Sequence, residues 1–116
     1  MARYLFIVSM DVAPEKEALF NEVYDTEHVP YLMQVEGVRG VRRSVSRPFQ
    51  VRIGGELKQV SSDGQPRYCA IYEIDDPSVL ASDAWAEAVE RGRWGSEVRP
   101  FTSNRSHALR EVTVEF

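Results

Sequence analysis

Hydrophobic and polar positions divide the chain into short segments of alternating character. Residues 3–10 are aromatic and β-branched without Gly or Pro, which predicts a strand. Pro14 then suits the first position of a helix, because it lacks an N–H that would be unpaired there anyway. Glu15 and Glu17 sit favourably in the first turn, and Leu19, Phe20, Val23 and Tyr24 form one apolar stripe. Pro30 disfavours helix at Val29, so the helix is expected to end there, with a short second piece over residues 31–34 and a stop at Glu36-Gly37. Residues 38–46 predict a second strand. Residues 49–53 and 56–60 flank Gly54-Gly55, a two-residue hairpin signal. Residues 61–66 read as loop and 67–74 as a strand. Asp75-Asp76-Pro77-Ser78 turns the chain. A helix over residues 82–91 follows, with Ser82 as its cap and Trp85, Ala88 and Val89 on its inner side. Residues 92–100 read as a broken helical segment and 107–116 as a last strand. No internal repeat stands out.

The order β-α-β-hairpin-β-α-β in so short a chain predicts an α+β fold. Its form would be a ferredoxin-like βαββαβ sandwich with an antiparallel sheet and an extra hairpin between strands 2 and 3. Helices can cover only one face of such a sheet. Yet the first strand is apolar on both faces, with Tyr4, Phe6, Val8 and Met10 opposite Leu5 and Ile7. The strand after the hairpin repeats this, with Tyr68, Ala70, Tyr72 and Ile74 opposite Cys69 and Ile71. A one-sided sheet should alternate polar and apolar. A second copy of the chain is the expected cover, giving a homodimer whose sheets face each other.

Composition narrows the class. A chain of 116 residues reads as one domain, 1–116, able to bury about two-thirds of its unfolded surface. Its 14 basic and 18 acidic residues give a net charge of −4, which argues against a nucleic-acid partner. The single cysteine, Cys69, cannot form an intrachain disulfide. The apolar run Tyr4-Leu5-Phe6-Ile7-Val8 is far short of the ~20 residues of a membrane span and lacks the flanks of a signal peptide. These features predict a cytoplasmic protein without a membrane partner.

The chemistry-bearing stretch is Asn21-Glu22-Val23-Tyr24-Asp25-Thr26-Glu27-His28-Val29-Pro30. On a regular helix Asn21, Tyr24 and His28 fall on one edge of the apolar stripe. A carboxamide, a phenol and an imidazole together could bind and protonate a small oxygenated molecule, with His28 as general acid/base. The plainer alternative is that Tyr24 is half-core and His28 simply ends a helix, where an imidazolium is favourable. From Val38 to Gly55 five arginines occur without an acid, and from Glu73 to Glu90 six acids occur without a base. Arg43 could therefore meet an anionic group, since the guanidinium fork matches a carboxylate, or simply pair with the acidic half. Metal signals are poor, because Glu27-His28 is not a two-histidine helix motif and His107 lies far away in sequence. Gly54-Gly55 is a turn rather than a phosphate loop, and Cys69 reads as packing. Trp85 and Trp94 either pack on the sheet or line a pocket.

The pattern Asn21-x-x-Tyr24-x-x-x-His28-x-Pro30, followed by Val35-Glu36-Gly37-Val38 and Arg42-Arg43, resembles the dimeric α+β-barrel superfamily, and within it the EthD-like proteins. In place of the aromatic pair common before the histidine in that family, Val23-Tyr24 supplies one aromatic. The resemblance implies a homodimeric α+β barrel with a pocket between helix and sheet in each subunit. His28 would be the family histidine, Tyr24 its aromatic neighbour and Asn21 the polar residue one turn earlier. The function implied is small-molecule binding. Its enzymatic form would be a cofactor-independent isomerase, cyclase or lyase acting on an aromatic or polyketide-like oxygenated metabolite. His28 and Tyr24 would be catalytic; Asn21, Arg43 and Tyr72 would contact substrate; no metal or cofactor would be needed. Two alternatives stay open: a haem-binding oxygenase or peroxidase-like protein with His28 or His107 as axial ligand, and a non-catalytic binding module.

Overall fold

The computed structural model describes residues 3–116. Strands β1 (Tyr4–Val12), β2 (Val38–Val45), β5 (Tyr68–Ile74) and β6 (Thr102–Glu111) form an antiparallel sheet in the order β2-β5-β1-β6, while β3 (Phe49–Ile53) and β4 (Glu56–Val60) pair as a separate hairpin. This is the expected ferredoxin-like arrangement with a hairpin inserted before its third sheet strand. The central register Phe6↔Tyr72 and Val8↔Ala70 places Tyr4, Phe6, Val8 and Met10 beside Tyr68, Ala70, Tyr72 and Ile74 on one face. The helical layer covers that face. Helices α1 (Glu17–Val23), α2 (Val29–Met33) and α3 (Asp83–Glu90) contribute Phe20, Val23, Leu32 and Ala88 to the core. Ser82 caps α3 as expected, accepting the Trp85 N–H at 3.1 Å.

Three expectations are corrected. Pro30 does not end the first helix: α1 passes through a π turn, Tyr24–His28, directly into α2. The Val29 N–H reaches back five residues to the Tyr24 carbonyl. Proline in a regular helix has no N–H to give and clashes with the carbonyl four residues back. A wider turn just ahead of Pro30 carries the chain past without a break. The second correction is that the chain does hold a local repeat. Tyr24-Asp25-Thr26-Glu27-His28-Val29-Pro30 is matched by Trp94-Gly95-Ser96-Glu97-Val98-Arg99-Pro100. The second copy makes the same π turn, Trp94–Val98, with the Arg99 N–H on the Trp94 carbonyl, again one residue before a proline. Thirdly, the last strand begins at Thr102 rather than near His107, its polar residues tolerated at a sheet edge.

The outward face carries half-buried Leu5, Ile7, Cys69 and Ile71. The β3–β4 hairpin stands away from the body and exposes Phe49, Ile53 and Leu57. The radius of gyration, 16.1 Å, accordingly exceeds the roughly 13 Å of a compact chain of this length. No helix among the described residues is long and apolar enough to cross a membrane.

Candidate active site

A cavity of about 210 Å³ lies between the helical layer and the sheet, walled by Phe6, Tyr24, His28, Tyr72, Trp85 and Trp94. Exposed Arg105 and His107, from edge strand β6, form its rim. The two π turns build its inner end. His28 closes the first and Trp94 opens the second, and their rings stack with centroids 4.4 Å apart and planes 21° apart. Tyr24 meets the His28 ring edge-on at 5.2 Å. The preceding residues make a parallel tie. The Glu27 carboxylate accepts the Arg93 N–H at 2.9 Å and Nε at 2.7 Å, which holds its pKa below the usual carboxylate range. Gly92, at φ +74°, lets that loop approach: a Cβ there would lie 2.5 Å from Glu27 Oε1.

His28 is 5% exposed, and its Nδ1 is buried without a hydrogen-bond partner among the described residues. Burial, and secondarily the charge of Arg99, lower its pKa to about 4 against partial opposition from Glu90. Arg99 is itself held by Glu90 through two bonds of 3.0 and 2.7 Å. The imidazole is therefore neutral at pH 7, not poised near neutrality as an unperturbed histidine would be. The Tyr24 and Tyr72 hydroxyls lie 3.4 Å apart. Burial raises the pKa of both, so both stay protonated as hydrogen-bond donors. One hydroxyl hydrogen can link the pair, leaving the other for a guest in the cavity.

Of the residues singled out in the sequence, His28, Tyr24 and Tyr72 share the cavity wall, whereas Asn21 and Arg43 do not. Arg43 lies on the far side of Tyr24, its guanidinium 4.4 Å from that ring's centroid. It donates to Asp25 at 2.7 Å and to Asn21 Oδ1 at 2.9 Å. The expected contact of Arg43 and Asn21 with a substrate beside His28 is thus not what the geometry provides. A regular helical wheel put Asn21 beside His28, but the π turn breaks that periodicity, and Asn21 instead faces Tyr68 and Arg43. Cys69 is on the opposite face of the sheet, consistent with packing. No group of three or more metal-ligating side chains occurs among the described residues. Trp94, Arg99 and Arg105 were not singled out as a set. The aromatic-x-Thr/Ser-Glu-x-x-Pro repeat is the signal that would have paired the Trp94 turn with the His28 turn.

Fold and cavity define the class: a ferredoxin-like α+β domain with a pocket between helices and sheet. No protein-family profile and no curated protein matches the sequence. Solved structures do. A variant of MhuD with two manganese protoporphyrin IX bound per active site matches at TM-score 0.61 and 14% identity, over 97% of both chains. An EthD family protein from Bacillus halodurans matches at TM-score 0.56 and 16% identity, over 97% of this chain and 99% of the other. At these identities the likeness is one of fold, and it agrees with the resemblance carried by the His28 segment.

Proposed function

We propose that this protein binds a small planar aromatic, oxygenated molecule in the His28 cavity and moves a proton on it without a cofactor. One observation carries the reading: a neutral, largely buried imidazole forms part of the wall of a cavity, with two protonated tyrosine hydroxyls in the same wall. The cavity falls below the roughly 300–1,000 Å³ of drug-sized pockets, which suits a compound of one or two fused rings. Phe6, Trp85 and Trp94 supply aromatic walls.

Only the base form of His28 is populated at neutral pH. It would take a proton from carbon next to a carbonyl, leaving an enolate whose oxygen accepts from the Tyr24–Tyr72 pair. The resulting imidazolium is disfavoured by burial and by Arg99, so it gives its proton up again, exchanging it with solvent through the cavity rim before the substrate is reprotonated at the same or another carbon. That balance favours isomerisation over net release of acid. The test is deuterium uptake by 2-tetralone in D₂O, followed by NMR. The protein should accelerate exchange, and His28→Gln should reduce the acceleration about 10²–10⁴-fold. Equal exchange by both proteins would remove His28 from the chemistry.

A homodimer is part of this reading. The half-buried Leu5, Ile7 and Ile71 on the outward face, and the protruding hairpin, are surfaces a second copy would cover. Such a protein would operate in the cytoplasm, and its net charge of −4 disfavours a nucleic-acid partner.

Haem is the second reading, favoured by the porphyrin bound to the MhuD variant and by the neutral imidazole of His28. A tetrapyrrole exceeds a drug-sized ligand and does not fit about 210 Å³ without displacing Trp85 or Trp94. Titration with haemin decides it: a Soret shift lost in His28→Gln would favour haem, and an unperturbed free-haemin spectrum would dismiss it.

A further inference from the structure

Charge in the cavity is one-sided. Its lining holds two arginines and no carboxylate. Arg99 is occupied by Glu90. Arg105 forms no ion pair or side-chain hydrogen bond with any described residue, yet its side chain belongs to the rim. An unpaired guanidinium beside aromatic walls is a feature the proton-transfer reading leaves unused.

The backbone explains how Arg105 comes to be there. Ser106 of β6 is opposite Ser9 and Ser103 is opposite Asp11, so Asn104 and Arg105 together oppose the single residue Met10. This is a β-bulge, a device that re-aims side chains and recurs beside active sites. Asn104 takes φ +52°, a left-handed conformation that no other non-glycine residue among those described adopts. It is held by its amide donating to Asp11 Oδ2 at 3.1 Å, while Asp11 Oδ1 accepts the Arg67 N–H at 2.7 Å. The bulge lets β6 change face. Beyond it, Arg105 and His107 share the cavity side with Val8, while Ser106 turns outward with Ser9. Strained backbone at a cavity rim is itself a pointer to function.

We propose that Arg105 is the anion anchor of the cavity, and that the ligand is an aromatic carboxylate. Its ring would lie among Phe6, Trp85 and Tyr72, and its carboxylate would be held by the Arg105 fork. The planar guanidinium matches two carboxylate oxygens, and charge-assisted bonds of this kind are the stronger class. This rests on the aromatic-pocket reading above and assigns the anionic role once sought in Arg43.

Calorimetric titration with 2-naphthoate and its neutral isostere 2-naphthamide tests the assignment. Wild type should bind the carboxylate at least tenfold tighter than the amide. Arg105→Gln should erase that preference and leave amide binding unchanged; the residue is exposed and without partners, so the fold should be unaffected. Arg43→Gln should preserve the preference. Equal binding of the two compounds by wild type, or a preference surviving in Arg105→Gln, would overturn the anchor while leaving the pocket standing. Failure of both compounds to bind would overturn the anchor and the pocket reading together.

Discussion

The neutral state of His28 has a thermodynamic consequence that needs no substrate. Its pKa is about 4 in the folded chain and 6.5 in the unfolded one. Above pH 6.5 neither state holds the proton, and below about 4 both do. Between these limits the unfolded chain binds more protons, so stability falls as the pH drops through that window. At 1.36 kcal/mol per pH unit, the span amounts to about 3 kcal/mol, a sizeable part of the 5–15 kcal/mol typical of a domain. His28→Phe keeps a flat ring against Trp94 but cannot titrate. Urea unfolding of both proteins at pH 7 and pH 4 isolates the effect. Glu27, whose pKa is lowered by its bonds to Arg93, weakens both proteins alike as acid is added. The variant should therefore lose about 3 kcal/mol less than wild type between the two pH values. Parallel losses would refute the buried neutral imidazole.

Three further outcomes follow from packing. Gly92→Ala should destabilise by about 1–2 kcal/mol or more in urea, because φ is +74° and the added Cβ would strike the Glu27 carboxylate that ties the two π turns together. Arg43→Gln should lower the melting temperature by removing the bonds to Asp25 and Asn21, without changing the deuterium exchange catalysed at His28. Ile71→Glu, on the outward face beside Ile7, should be monomeric by light scattering where the wild type forms the proposed dimer, with the far-ultraviolet circular dichroism intact.

Much of the fold was legible because each element carries a local physical signature. Gly54-Gly55 bends the hairpin, Ser82 caps α3, and the alternation in residues 68–74 appears as buried and half-buried faces. The helix across Pro30 was not legible: proline reads as a stop, while the chain absorbs it by widening the preceding turn. The same turn decided the site. His28, Tyr24 and Tyr72 converge on the cavity, but Asn21, placed by regular periodicity, turns instead to Arg43. Trp94 and Arg105 depend on contacts across the fold and on a bulge in an edge strand that begins ahead of the segment whose alternation is visible in the sequence. Charge density alone could not choose among five clustered arginines. What distinguishes Arg43 from Arg105 is which one the folded chain has already neutralised.

A crystal structure of the protein grown with 2-naphthoate tests the central claim most directly. The account requires the fused rings between the helices and the sheet, against Trp85 and beside the His28 imidazole. Ligand density confined to the outward face, or a His28 cavity closed by its own tryptophans at saturating ligand, would contradict it.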